Sequence, residues 1–303
     1  MELSNRMKAV AELVPCGHTA ADVGCDHGFV SVYLAQHGIC PYIFAGDVRK
    51  GPLERAKEHI RESRLTDRIG AVLSDGLKQI PVAGADGKKA ADEEGADGRQ
   101  AADPEGADGF IAAGMGGKLI VQILTDVPEK TAALKWCVLS PQSEIWLVRR
   151  KLAELGFLIL RENMVLEDGK FYPMMLAVRE ADAEWVRDAL NVKRENEALE
   201  KRLEASGFSK EEREGAADWL GLRLIADQNG VLISFLKHTM ATDGALLSGM
   251  PAAPEEGADL GQGAQGGQGA VLDAKQERIA LRRRELLARM TFAGKVLEFL
   301  GEA

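Results

Sequence analysis

The chain predicts an α/β fold: a doubly wound, mostly parallel sheet of seven strands, followed by an α-helical domain with coiled-coil seams. Three observations predict it. Short apolar runs alternate with helix-period segments through the first 180 residues. Glycines and acids cluster where those runs end. Beyond residue 180 the runs stop, and apolar residues recur at steps of three and four.

Leu3, Met7, Val10, Ala11 and Val14 mark one helix face, with Ser4 and Asn5 as caps and Pro15 as its end. Ala20, Ala21 and Val23 form a short first strand. It runs into Asp22-Val23-Gly24-Cys25-Asp26-His27-Gly28, an acid-x-Gly-x-Asp-x-Gly turn, and a helix over Phe29 to Gln36 follows. Gly24 supplies backbone angles that a β-carbon forbids, and Gly28 lets a ligand approach the chain. Strand two, Cys40 to Val48, carries Asp47, about 20 residues past the glycines. That is the spacing at which an acid reaches the ribose hydroxyls of an adenosine-bearing cofactor. A charged helix opens at Gly51-Pro52. Ile69 to Leu73 is strand three, ending in Ser74-Asp75-Gly76.

Residues 84–109 repeat Gly-Ala-Asp-Gly at positions 84, 95 and 106. Small acidic repeats bury too little surface to offset their ordering entropy, so this stretch reads as a flexible insertion. Strand four resumes at Asp108-Gly109-Phe110 and ends in Ala113-Gly114-Met115-Gly116-Gly117, before a helix over Lys118 to Leu124. Trp136 to Gln142 is strand five, and Ile145 to Leu155 is a helix. Phe157 to Leu160 with Met164 to Leu166 form strand six, and Phe171 to Val178 strand seven. The short Glu167-Asp168-Gly169-Lys170 link makes the last two a hairpin. A parallel sheet closed by an antiparallel hairpin is the S-adenosylmethionine (SAM) methyltransferase version of the doubly wound fold. Ligands of such sheets bind at the strands' carboxyl ends. The acids Asp22 and Asp26 suit a positive sulfonium and spoil a pyrophosphate cradle, which weakens an NAD-dependent reading in favour of SAM.

Residues 1–180 thus form the predicted catalytic domain and 181–303 the helical one. Three seams mark the latter: Trp185 to Leu203, Leu222 to Leu236 and Ile279 to Leu300, with a flexible Gly/Ala/Gln loop at 243–272. Arg282-Arg283-Arg284 reads as a solvated helix face.

The 303 residues are 46% apolar, enough for one large or two modest domains. Net charge is −9, but residues 84–109 and 243–274 each carry −5, leaving the remainder at +1. The low pI therefore argues neither for nor against a nucleic-acid partner. Four cysteines, without CxxC or metal spacing, fit a reduced, cytoplasmic compartment and no metal. Met1 to Arg6 is not a signal peptide, and no apolar run approaches the ~18 residues of a membrane span.

Several stretches together resemble one family, the bacterial tRNA (adenine-22-N1)-methyltransferases, TrmK. They are Leu3-Ser4-Asn5-Arg6 through Pro15; Ala21 to His27; Asp75-Gly76-Leu77; Ala113-Gly114-Met115-Gly116-Gly117; and Glu167-Asp168-Gly169-Lys170-x-Tyr172. The resemblance covers residues 1–180 apart from the repeat, and implies a carboxy-terminal helical hairpin. It implies an enzyme that moves a methyl from SAM to N1 of a D-arm adenine in tRNA; the chain is expected to be a monomer. Under it, Asp22, Gly24 and Gly28 shape the cofactor turn, Asp47 holds the ribose, and Asp75 with Gly76 meets the adenine ring of SAM. Gly114, Met115 and Gly116 line the slot where methyl and target base meet. The Asn-Pro-Pro-aromatic motif of amino-directed adenine methyltransferases is absent, in keeping with ring-nitrogen chemistry. Asp26 is the candidate base or amine anchor, or else binds the cofactor's amino-acid end. His27 is a packing residue or a cofactor contact. Arg6 meets tRNA phosphate or is a plain surface charge. Two other readings stay open: a SAM enzyme with a different substrate, and a non-catalytic SAM- or RNA-binding scaffold.

Overall fold

The computed structural model describes residues 3–85, 105–251 and 274–302. The centre of the Gly-Ala-Asp-Gly repeat and most of the second low-complexity stretch lie outside them.

Strands β1 (Ala20–Val23), β2 (Ile43–Asp47), β3 (Ile69–Leu73), β4 (Gly109–Met115), β5 (Trp136–Pro141), β6 (Phe157–Glu167) and β7 (Lys170–Arg179) form one sheet in the order β3-β2-β1-β4-β5-β7-β6. The first five run parallel, and β7 is antiparallel to both its neighbours. This is the SAM-methyltransferase arrangement. β1, β2 and β5 are buried throughout, as central strands covered on both faces must be. One core lies under helices α1 (Asn5–Glu12), α2 (Phe29–Gln36) and α3 (Lys50–Glu62). The other lies under α4 (Gly117–Asp126), α5 (Pro128–Ala133) and α6 (Ile145–Glu154). The short α5, opened by Pro128, leaves little periodicity to read in sequence.

The hairpin is tighter than the sequence suggests. Glu167 pairs Lys170, so Asp168 and Gly169, both at positive φ, make a two-residue turn. β6 is one strand with a bulge between Ile159 and Arg161. The expected insertion also ends earlier than residue 109. Val82 bridges Ala107, Ala107 is fully buried, and Asp108 accepts from Thr19 N–H and pairs with Lys135.

The chain divides into two compact units, Met1–Asn229 and Gly230–Ala303, so the division falls past the expected residue 180. The reason is burial. α7 (Val186–Ala205) turns Ala189, Val192, Leu199 and Leu203 inward, and packs on β6, α8 (Lys210–Gly215) and α9 (Leu222–Ala226). A buried Arg149–Glu162 pair ties this layer to the sheet. Arg149 also donates to the carbonyls of Asp218, Trp219 and Leu220.

The seam expected as one helix over Leu222 to Leu236 is two. Gln228 is left-handed, and Asn229 N–H donates back to Leu224 O, ending α9. In the second unit, α10 (Gly230–Gly249) and α11 (Ala274–Phe299) pack antiparallel. Lys237 pairs Glu302, and Asp243, expected in a loop, is buried in α10 against Arg289. Leu232, Leu236, Leu286, Ala293 and Leu297 of the predicted seams are buried. Among the described residues no helix is long and apolar enough to cross a membrane.

Candidate active site

A cleft of about 530 Å³ opens at the carboxyl ends of β1 to β5. Its lining brings together Arg6, Asp22, Gly24, Asp26, Asp47, Asp75, Gly76, Gly114 and Met115 from across 110 residues of chain.

Its floor is the first turn. Gly24 and Cys25 both donate N–H to Gly46 O at 2.9 Å, locking the turn against β2. Gly24 is at φ +74°, and a β-carbon there would stand 2.9 Å from Met115 Cε. The left-handed backbone angle favours glycine, while the Met115 contact is with the far end of a flexible side chain that a β-carbon would push aside. Asp26 is held at φ +51°, an uncommon conformation for a residue with a side chain. Its N–H donates to Asp47 Oδ2 at 3.2 Å, while its carboxylate remains 63% exposed.

Two buried acids flank the turn. Asp47, only 3% exposed, accepts from Asp26 N–H and from Arg49 N–H at 2.8 Å. Neither bond uses all the lone pairs of its oxygen, so the carboxylate keeps acceptor capacity. Asp22 accepts from Ser31 Oγ–H at 2.6 Å; burial nonetheless pushes its carboxyl up to about 6. Burial, with Asp22 and Asp47 nearby, also pushes the Cys25 thiol well up, so Cys25 is no thiolate nucleophile at neutral pH.

The far wall is β4 and the link after β5. A bulge between Ala113 and Met115 sets Gly114 at φ +80°. Gln142 donates its N–H to Met115 O at 3.0 Å. Asp75 lines the cleft with its carboxylate on Lys78 Nζ, at 2.6 Å.

Three predicted residues lie off the lining. Gly28 caps α2, and its β-carbon would meet Ala56 Cβ at 3.2 Å, so helix packing accounts for it. Gly116 caps α4 against Ser143. His27 stacks on the Phe29 ring at 5.5 Å, receives a bond from Arg55 and lies 3.6 Å from the Asp26 carboxylate. Arg6 is no plain surface charge. It lies 4.6 Å over the Tyr172 ring, with its buried Nε 3.8 Å from the Glu167 carboxylate and making no hydrogen bond among the described residues. Sequence reading missed Phe29, Val48, Ser74, Leu119 and Gln142. For Gln142 the signal was available, because it directly follows a strand's carboxyl end. Among the described residues no cluster of side chains could hold a metal ion.

A family model described as tRNA (adenine(22)-N(1))-methyltransferase, TrmK, matches residues 20–202. A Bacillus subtilis protein of the same description is 29% identical over 177 residues, 58% of this chain and 65% of that protein. The chain's match thus spans just under two thirds of that relative's length. The crystal structure of B. subtilis TrmK superposes with a TM-score of 0.64 at 23% identity, covering 98% of this chain and 99% of that one. A Streptococcus pneumoniae structure in complex with S-adenosyl-L-methionine gives 0.61 at 21% identity, covering 98% and 100%. At these identities the structures establish the shared fold.

Proposed function

We propose an activity on one premise: this chain belongs to the TrmK family, tRNA (adenine(22)-N(1))-methyltransferase. The chain transfers a methyl group from SAM to N1 of an adenine at position 22 of tRNA. The observation that carries this reading is the convergence of an acid-bearing glycine turn, buried Asp47 and Met115 in one cleft.

The residues present fit SAM. The cleft's polar wall is acidic where a sulfonium and an amino group need anions. Asp47 has open acceptor positions for a ribose diol, and exposed Val48 beside it offers an apolar surface for an adenine ring. When bound, SAM supplies a methyl activated by its positive sulfur. Ser74 and Gly76, with Asp75, frame the ring's edge from β3, and Ser74 N–H is tied to Asp47 O.

N1 of adenine lies on the Watson–Crick edge, so the base must leave its pair and stack before entering the cleft. N1 gives its lone pair to the methyl carbon as the carbon–sulfur bond breaks, and the positive charge passes to the base. No strong general base is needed for that attack, so positioning supplies much of the rate. Gly114 and Met115 form the slot that aligns the base. The exposed Asp26 carboxylate stands at the same cleft, where it stabilises the cationic base or takes a proton from the exocyclic amine. Arg6, clamped by Tyr172 and Glu167, offers its outer nitrogens to an RNA phosphate.

The test is methylation of unmodified tRNA transcripts with tritiated SAM, followed by nucleoside mapping. The expected product is 1-methyladenosine at one D-arm adenine, absent when that adenine is replaced by guanine. SAM binding without label on any tRNA would leave only fold and cofactor standing.

A further inference from the structure

We propose that Gln142 selects adenine by reading its Hoogsteen edge; the inference rests on the adenine-N1 reading above. Methyl transfer to N1 occupies the Watson–Crick edge. Recognition must then come from the N6 amine, a donor, and N7, an acceptor. A carboxamide matches both at once: Oε1 accepts from N6–H while Nε2–H donates to N7. Guanine in the same pose would set its O6 acceptor against Oε1.

Gln142 is placed for this. It directly follows β5 and lines the cleft with Gly24, Asp47 and Met115. Its backbone is tied to the slot through the bond to Met115 O, 3.0 Å. Its Nε2 stands 3.9 Å from where a Gly114 β-carbon would begin, so the amide lies over bare backbone. The side chain is exposed and forms no hydrogen bond with any described residue.

The other polar groups of the cleft do not match. Asp22, Asp26, Asp47 and Asp75, when ionised, only accept, and Arg6 and Arg49 only donate. The Ser74 hydroxyl is committed, donating to Gly76 O and accepting from Gln79 N–H. Among the described cleft-lining side chains, Gln142 alone offers an uncommitted donor and acceptor on one planar group.

The experiment is a protein-by-base cycle. Transcripts carry adenosine or 7-deazaadenosine at the target position; the second lacks the N7 acceptor and keeps N1 and N6. Methylation rates at subsaturating RNA are measured for the native protein and Gln142→Ala. One bidentate contact is worth ~1–3 kcal/mol, or about 5- to 150-fold. The native protein should lose a factor in that range on the deaza transcript. Gln142→Ala should lose a similar factor on adenosine, and beyond the basicity change common to both proteins it should lose nothing more on the deaza transcript. Changes in N1 basicity affect both proteins alike and cancel. Gln142→Glu, which keeps an acceptor and loses the donor, should likewise lose nothing more there. SAM affinity by calorimetry should be unchanged in both variants, showing them folded. An additive cycle, with the variants as sensitive to N7 as the native protein, overturns the proposal. Failure of the native protein to label the adenosine transcript would instead sink the adenine-N1 reading, and this inference with it.

Discussion

The two halves of the sheet treat buried charge in opposite ways. On the antiparallel side, Arg149 and Glu162 form a closed network. Arg149 donates to Glu162 and to three carbonyls, and Glu162 Oε2 accepts from Arg223 N–H. Gly221 completes it, since a β-carbon there would sit 2.2 Å from Glu162 Oε2. On the parallel side, Asp22 and Asp47 are as deeply buried but less fully bonded. Closed networks hold a layer of structure in place. Open ones keep acceptors for a ligand at a cost in stability. The comparison teaches where to look for chemistry: at buried acids whose partners are too few.

Breaking the closed network should have the largest effect. Glu162→Ala leaves Arg149 buried without its anion and should destabilise the fold by about 3–5 kcal/mol in urea unfolding. At temperatures where the variant is folded, SAM affinity should be unchanged. Equal loss of affinity and stability would mean that the two halves are not separable.

Asp22 gives the converse. Its carboxyl is raised from 3.8 to about 6, so the folded state favours the proton. Stability attached to this group is present below pH 4 and lost as pH rises through 6. The cost above pH 6 is about 3 kcal/mol. Asp22→Asn keeps an acceptor for Ser31 and removes the charge. Its advantage over the native protein should grow from pH 4 to pH 7, as read from unfolding at each pH. A pH-independent difference would show that Asp22 is not held near 6.

Asp47→Ala should act on binding. Losing a charged acceptor toward the ribose is worth ~1.5–3 kcal/mol, or about 10- to 150-fold weaker SAM binding by calorimetry. Unchanged affinity would place the ribose elsewhere. Gly24→Ala is the smallest and most mixed case. A left-handed non-glycine residue costs about 1–2 kcal/mol, and the new methyl must displace Met115 Cε. Both the melting temperature and SAM affinity should fall. A fall in stability alone would remove Met115 from the cofactor slot.

The sequence by itself determined the strands, their order of appearance and the end of the sheet at which the cleft opens. Apolar runs ending at Gly24, Asp47, Asp75 and Gly114 are local signals, because a buried strand and a tight turn are each encoded within a few residues. Tertiary structure decided what sequence distance hides. Only folding sets Arg6 over Tyr172, Met115 against Gly24, and the Gln142 amide over Gly114. It also decided how the seams were used. The same three-and-four spacing lets α7 bury its face against the sheet layer, while α10 and α11 bury theirs on each other. Periodicity states that a helix has an apolar face; it carries no information on which surface will cover it.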